Sequence, residues 1–177
     1  MRSLLACLLA LLGALPAAAK VYLSIDEALA LAFPGAAIER RTSYLKPEQL
    51  AEASALAGQE VESALVVTYV ATKDGALVGR AYFDAHLVRT LPETLMLALD
   101  PAGKVLRIEV LSFDEPEDYL PRPIWYEQFR GKELSPELAL KRAIRPITGA
   151  SLSARATTDA VRRILALDRV LTGGQAK

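Results

Sequence analysis

Residues 145–153 combine side-chain types and a spacing that could bind a phosphate group. Hydroxyl groups stand at Thr148, Ser151 and Ser153, and all three can donate hydrogen bonds to phosphate oxygens. Gly149 lets the backbone approach a ligand closely. An apolar pattern of helical period follows at once, so the first amides of a helix, which lack intrahelical partners, would point at the same group. Ser, Thr and Gly are also ordinary helix caps, and a plain cap is the alternative explanation of this stretch.

An acidic segment is a second candidate for chemistry. Residues 114–119 carry four carboxylates, among them Asp114 and Glu115. Paired carboxylates can do acid–base work or bind a hard cation. Pro116 and the absence of a Gly or Asn ligand pattern argue against a calcium loop. We therefore interpret the segment as a solvated loop and predict no metal site.

His86 is the only histidine, and it falls in a segment with the period of a strand. A Ser-His-Asp hydrolase with Ser151 or Ser153 as its nucleophile is a hypothesis that would use it. However, the sequence contains no Gly-x-Ser-x-Gly elbow, and His86 would have to reach the start of a distant helix. A structural or surface histidine is the simpler interpretation.

Residues 1–19 have the pattern of an export signal: a positive start, an apolar run, a proline and three alanines. The apolar run is too short to span a membrane. Residues 20–177 are then expected to form one domain in the periplasm or another extracytoplasmic compartment. The only cysteine, Cys7, lies in the signal, which leaves the mature chain without a disulfide or a thiolate metal site. The 21 basic and 21 acidic residues give no reason to expect a nucleic acid as a partner.

The periodicity of the chain predicts which elements position these residues. A capping box at Ser24 and a proline at Pro47 open two helices, which end near residues 34–35 and 58. Strand period runs from residue 63 to 113, with short turns that predict an antiparallel meander. Short helices are predicted at residues 124–129 and 135–144, and a longer one runs to about residue 171. The predicted fold is α+β, an antiparallel twisted sheet of about four or more strands with helices packed at one side.

The stretch at Ile147–Ser153, with Ala160 and Val161 after it, resembles the flavin-attachment motif of the FMN-binding domain family. This family includes the covalently flavinylated subunits of the Na+-translocating NADH:quinone reductase and of Rnf-type electron-transport complexes. Three further segments are similar to family segments in the same order, and they are residues 27–35, residues 110–116 and residues 125–132. The resemblance therefore covers most of residues 20–177. The chain departs from the family motif at Arg145, where the family carries Asp.

The resemblance implies an exported flavoprotein that carries electrons through FMN. The phosphate would be joined by a phosphodiester to Ser151, and a separate flavin transferase that uses FAD and Mg2+ would install it. The redox partner would be a cytochrome or a membrane electron-transport complex, and no residue of this chain would be catalytic. The residues that the resemblance and the local chemistry assign to the cofactor are Thr148, Gly149, Ala150, Ser151, Leu152, Ser153, Glu115 and Trp125. Because Arg145 departs from the motif, non-covalent FMN binding and a flavin-free binding or assembly protein of the same fold are the alternatives.

Overall fold

The computed structural model describes residues 20–173 of the chain, so the predicted signal at residues 1–19 lies outside the described residues, as do residues 174–177. The described part is a single α+β unit, as the sequence predicts. Its helices and strands, in chain order, are α1 (Ile25–Ala32), β1 (Ala37–Tyr44), α2 (Pro47–Ala57), β2 (Leu65–Lys73), β3 (Ala76–Leu87), β4 (Pro92–Leu99), β5 (Val105–Phe113), α3 (Pro123–Tyr126) and α4 (Ser151–Gly173). Among these residues, no helix has both the length and the apolar character that a membrane span needs.

The sheet contains five strands in the order β1-β2-β3-β4-β5, and every neighbouring pair is antiparallel. This order confirms the predicted meander. Residues 37–44, which precede the predicted meander, form a further strand, β1, at the sheet edge. Charged side chains such as Glu39 and Arg41 line this edge strand, and such charges discourage pairing with another sheet edge.

Alternation along β4 builds two apolar cores, one on each face of the sheet. Leu95 and Leu97 pack on the first face with α2 and α4, whereas Met96 and Ala98 pack on the second face with α1. The prediction of helices at one side therefore holds for α2, α3 and α4 but not for α1. The physical reason is the second face itself, since apolar residues that alternate with those facing α4 also have to be covered.

Gly79 marks a close approach between β3 and its surroundings, as its position inside a strand predicts. A Cβ atom there would lie 2.4 Å from the carbonyl oxygen of Leu99 and 2.5 Å from the ring of Phe33. The β2–β3 register also shifts next to this point, because Ala71 pairs with Gly79 whereas Thr72 pairs with Leu77. The glycine thus lets α1 close over a bulged part of the sheet.

The pairing of β2 with β3 covers only part of either strand. Residues 69–73 of β2 pair with residues 76–81 of β3. Residues 65–68 pair with β1 alone, and residues 82–87 pair with β4 alone. The sheet therefore divides between its second and third strands, and a cleft opens between residues 65–68 and 82–87.

The prediction of a helix at residues 135–144 is wrong. The segment is a series of turns, with an isolated bridge between Leu140 and Ile144. Leu138 and Ile144 are both buried in the core although they are six positions apart, and a helix would turn them to different faces. A helix this short is also marginal without a packed apolar stripe. The helix predicted at residues 124–129 is confirmed as α3 with a 3-10 turn at Glu127–Phe129.

Candidate functional site

The candidate site lies at the start of α4, the longest helix of the described chain. The helix begins at Ser151, and the amide of Ala154 donates to the carbonyl of Ala150 at 3.0 Å. The preceding Gly149 has a φ of +85°, and no atom lies within 4 Å of where its Cβ would be. Conformation, and not lack of space, therefore requires glycine at the turn into the helix. The amides of the first helical turn have no intrahelical partner and point outward from this turn.

A pocket of about 220 Å³ opens at this helix start. Three segments that are distant in sequence line it: the turn between β3 and β4, the loop that follows β5, and the beginning of α4. The lining residues are Val88, Arg89, Glu115, Tyr119, Gly149, Ala150, Ser151, Leu152 and Ser153. Six of the eight predicted site residues are among them, so the fold brings Glu115 to the predicted phosphate-binding stretch.

The other two predicted residues do not line the pocket. Thr148 is exposed on the loop before the helix. Trp125 is buried in the core, with its ring edge-on to Tyr126 and Phe129. Its indole N–H donates to the carbonyl of Arg145 at 2.8 Å, which holds the beginning of the loop that leads to α4.

Gln128 completes the clamp on this loop. Its side-chain oxygen accepts from the amide of Arg145 at 2.8 Å, and its amide group donates to the carbonyl of Trp125 at 3.0 Å. Both backbone groups of Arg145 are thus fixed, while its side chain is exposed. Trp125 therefore acts on the site from the far end of the loop, by positioning the segment that carries Ser151.

Glu115 is buried and holds the turn on the opposite side of the pocket. Its Oε1 atom accepts from the amides of Thr90 and Leu91 at 2.7 and 2.9 Å and from the Thr90 hydroxyl at 3.2 Å. The hydrogen bonds from the backbone of Thr90 and Leu91 lower the pKa of Glu115, so the group is a carboxylate at neutral pH. This contact places Arg89 beside the helix start.

The two serines of the first turn differ sharply in their surroundings. Ser151 is exposed, and its hydroxyl donates to the carbonyl of Ile147 at 3.3 Å. Ser153 is 1% exposed, and its hydroxyl has no hydrogen-bond partner among the described residues. A buried hydroxyl without a partner costs free energy and calls for an explanation. Since Ser153 lines the pocket, a group bound there could supply that partner.

Sequence reasoning missed three lining residues, Val88, Arg89 and Tyr119. Arg89 is exposed and lines the pocket, so it adds a positive charge near the positive end of the helix dipole. The amide of Val88 donates to the carbonyl of Leu91, so Arg89 and Thr90 form a tight connection between β3 and β4. Nothing in the local sequence indicates that this turn faces α4.

A layer of buried polar side chains holds α4 against the sheet and so fixes where it begins. Glu93 on β4 is fully buried, and its carboxylate accepts from Thr157 of α4 at 3.2 Å and from Tyr126 at 3.4 Å. Burial, followed by the nearby charge of Glu93, raises the pKa of Tyr126, which keeps its hydroxyl a donor. Thr157 lies one helical turn after Ser153, so this contact holds the first turn of α4, which forms one wall of the pocket, in place.

His86 belongs to the same layer. Its Nδ1 and Nε2 atoms lie 2.9 Å from Asp84 and 3.1 Å from Glu93. Burial alone would lower the pKa of His86, but hydrogen bonds to these two carboxylates raise it to about 9. Asp84 also pairs with Arg163 of α4 at 2.6 Å, and the contacts with His86 and Arg163 lower the pKa of Asp84 against the opposing effect of burial.

The position of His86 bears on the hydrolase hypothesis. Both ring nitrogens are engaged by carboxylates, and neither serine is hydrogen-bonded to the ring. His86 lines the cleft between β2 and β3, whereas Ser151 and Ser153 line the pocket at the helix start. The described structure therefore does not assemble a nucleophile and a base.

A second buried cluster ties the other end of α4 to the sheet. Arg80 of β3 makes two hydrogen bonds with Asp168, at 2.5 and 3.0 Å, and the hydroxyl of Tyr82 donates to the same carboxylate at 2.7 Å. With Thr157 bonded to Glu93 at one end and Asp168 to Arg80 at the other, α4 is fixed in register along its length. The candidate pocket thus rests on a rigid support.

Residues 20–173 contain no cluster of three or more His, Cys, Asp and Glu side chains that could hold a metal ion. Comparison of the sequence with known families finds no matching family model, and comparison with curated proteins finds no significant match.

Proposed function

We propose that this protein is an electron carrier that holds FMN through its phosphate at the start of α4, with the phosphate esterified to Ser151. The observation that carries the proposal is the buried hydroxyl of Ser153, which has no partner among the described residues. It lies two residues after Ser151, the exposed serine at the N-terminus of α4. The sequence resemblance of residues 147–153 to a flavin-attachment motif supports the same assignment.

The residues present fit a phosphate group. Backbone amides of the first turn of α4 would donate to its oxygens, and Ser153 would gain the partner that it lacks among the described residues. Arg89 would balance the negative charge from the other wall, and Gly149 supplies the turn that the approach requires. Glu115 would act indirectly, because its carboxylate is occupied in holding the turn that carries Arg89.

Attachment to Ser151 would transfer the FMN half of FAD to the serine oxygen. A bond forms between the serine oxygen and the phosphorus of the FMN half, the pyrophosphate bond breaks, and AMP and a proton leave. Ser151 is exposed, so a separate transferase could reach it, whereas the buried Ser153 is not accessible in the same way. Arg145, which stands where the family motif carries Asp, is exposed as well.

When bound, the flavin would supply the redox chemistry, and the protein would supply orientation and electrostatics. The pocket of about 220 Å³ is smaller than the roughly 300–1,000 Å³ of pockets that enclose a whole ligand. It can therefore hold the phosphate end while the ring system stays partly exposed to a redox partner. A cytochrome or a membrane electron-transport complex is the class of partner that we propose.

The test is to co-express the exported chain with a flavin transferase and to look for flavin after denaturation. Covalent attachment predicts in-gel fluorescence and the FMN mass increment on a peptide containing Ser151. The Ser151→Ala variant should lose both, and Thr42→Ala, which removes an exposed hydroxyl on β1 outside the pocket, should keep both. Fluorescence that survives in Ser151→Ala would place the attachment elsewhere.

Non-covalent binding is distinguished from covalent attachment by titrating the unmodified chain with FMN and following the quenching of flavin fluorescence. Binding by wild type and by Ser151→Ala, without any mass increment after co-expression, would support a non-covalent carrier. A protein that stays colourless in both experiments would overturn the proposal in either form.

A further inference from the structure

A cleft of about 780 Å³ opens between β2 and β3. It lies where residues 65–68 and 82–87 leave the ladder that joins the two strands. Extending the register that pairs Tyr69 with Ala81 would place residues 65–68 opposite residues 82–85, but these positions do not pair. The sheet therefore has two open strand edges inside it, in addition to those at its margins.

Backbone contacts reveal which residues turn their polar groups toward the cleft. The carbonyl of Ala64 accepts from the amide of Leu45, so even-numbered residues of β2 face β1. The odd-numbered Leu65 and Val67 then face the cleft. The hydroxyl of Ser63 satisfies both backbone groups of Leu65, at 3.0 and 3.2 Å, and leaves those of Val67 without a ladder partner.

The same reasoning applies to the opposite wall. The amide of Val88 donates to the carbonyl of Leu91, so even-numbered residues of β3 face β4. Phe83, Ala85 and Leu87 therefore present their amides and carbonyls to the cleft. Donors and acceptors thus repeat at strand spacing along this wall, a pattern that another polypeptide backbone matches directly.

Exposed apolar and charged side chains form the rim of the cleft, and the charges at its floor are paired with one another. Ile25, Leu65 and Leu87 line it with exposed fractions of 43%, 45% and 65%. At the floor, Asp84 is paired with Arg163 and hydrogen-bonded to His86, so these charges are already compensated within the protein. Arg40, Glu60 and Glu62 are exposed at the rim and carry charges of both signs, and the apolar rim residues can pack against alternate side chains of an extended segment.

We propose that the cleft between β2 and β3 is a strand-addition site for an extended segment of a partner protein, which pairs with β3 at residues 82–87. The segment would be about five to seven residues long, the length of an ordinary strand, with apolar side chains at alternate positions. The site is separate from the candidate pocket at the start of α4, because no residue lines both cavities. It does not depend on flavin.

The test begins with selection of linear peptides of about seven residues, displayed on phage, against the full chain. Synthetic versions of the enriched peptides are then bound to the isotope-labelled protein, and amide hydrogen exchange is followed by NMR. The inference predicts that exchange slows at least about tenfold at Phe83 and Ala85 and that the amides of β5 are unaffected. A peptide with alternate amides N-methylated should lose binding, because it can no longer donate to β3.

Matched variants locate the site. Ala85 and Ala76 are both exposed alanines on β3, but only Ala85 lines the cleft. Ala85→Trp should abolish peptide binding and Ala76→Trp should leave it unchanged. The inference would be overturned if no enriched peptide were sensitive to Ala85→Trp, if the N-methylated peptide bound equally well, or if the amides of Phe83 and Ala85 were already as protected in the free protein as those of β4. Protection of β1 instead would identify the ordinary sheet edge as the binding surface and would equally refute it.

Discussion

Thr157 of α4 donates a hydrogen bond of 3.2 Å to Glu93 of β4, and both side chains are completely buried. A carboxylate in such a place requires several donors and a positive partner. Thr157, Tyr126 and the His86 ring provide them. Because Thr157 is one turn from Ser153, the polar layer that satisfies Glu93 also decides where the candidate phosphate site lies.

The His86 ring makes the stability of this layer depend on pH. The pKa is about 9 in the folded chain and about 6.5 in the unfolded chain, so the folded state binds the proton more tightly. The stabilisation is then complete below about pH 6.5 and is lost as the pH rises through about 9. We expect the free energy of unfolding in urea to fall by about 2 to 3 kcal/mol over that interval.

The His86→Asn variant is the control for this pH dependence. It should be less stable than wild type at pH 6 and should show little further loss up to pH 9. Since His86 is the only histidine, no other imidazole contributes to the change of the free energy of unfolding with pH. A wild-type protein whose free energy of unfolding is constant across the interval would contradict the raised pKa.

Gly79 is predicted to tolerate no side chain. In Gly79→Ala the new methyl group would meet the backbone of Leu99 and the ring of Phe33, neither of which can move without disturbing the sheet or α1. We expect a loss of about 2 to 3 kcal/mol in the free energy of unfolding, measured by urea denaturation. Gly173→Ala is the matched control, because no atom lies within 4 Å of its added Cβ, and its effect should stay within about 0.5 kcal/mol.

The sequence was sufficient to predict the elements with strong local signals. The capping box at Ser24, the proline at Pro47 and the short turns of the meander all led to the observed elements. The helix prediction for residues 135–144 failed because tertiary contacts determine the backbone conformation there. Arg162 donates to the carbonyls of Ser135 and Leu138, which a helix would have used internally.

The candidate site was predictable where it is continuous in sequence and not where it is assembled from distant segments. Residues 149–153 form one wall, and their hydroxyls and glycine are visible in the sequence. Arg89 and Tyr119 come from other loops, and only strand pairing and the Glu115 contact bring them there. The division between β2 and β3 has no local signal at all, since both strands carry ordinary strand patterns and differ only in where their pairing ends.

Trp125 is predicted to position the loop before α4 through one hydrogen bond. Trp125→Phe keeps an aromatic ring in the core but leaves the Arg145 carbonyl without its donor. We expect a loss of about 1 kcal/mol in stability together with faster amide exchange at residues 147–149. Tyr126→Phe is the control, because its hydroxyl bonds Glu93 instead of the loop, and exchange at residues 147–149 should not change. Equal acceleration in both variants would mean that general destabilisation, and not the clamp, controls the loop.

We predict that the buried hydroxyl of Ser153 lowers the stability of the flavin-free protein. In the flavin-free protein, Ser153→Ala removes a buried hydroxyl that lacks a partner and places a better helix former in the first turn of α4. We therefore expect the free energy of unfolding to rise by about 0.5 to 1 kcal/mol while FMN binding weakens about tenfold. Ser151→Ala should behave differently, with nearly unchanged stability, because its hydroxyl is exposed, and with loss of covalent attachment. Urea denaturation and FMN titration of the two variants separate these effects. A destabilised Ser153→Ala protein with unchanged FMN affinity would show that the hydroxyl serves the fold and not the phosphate.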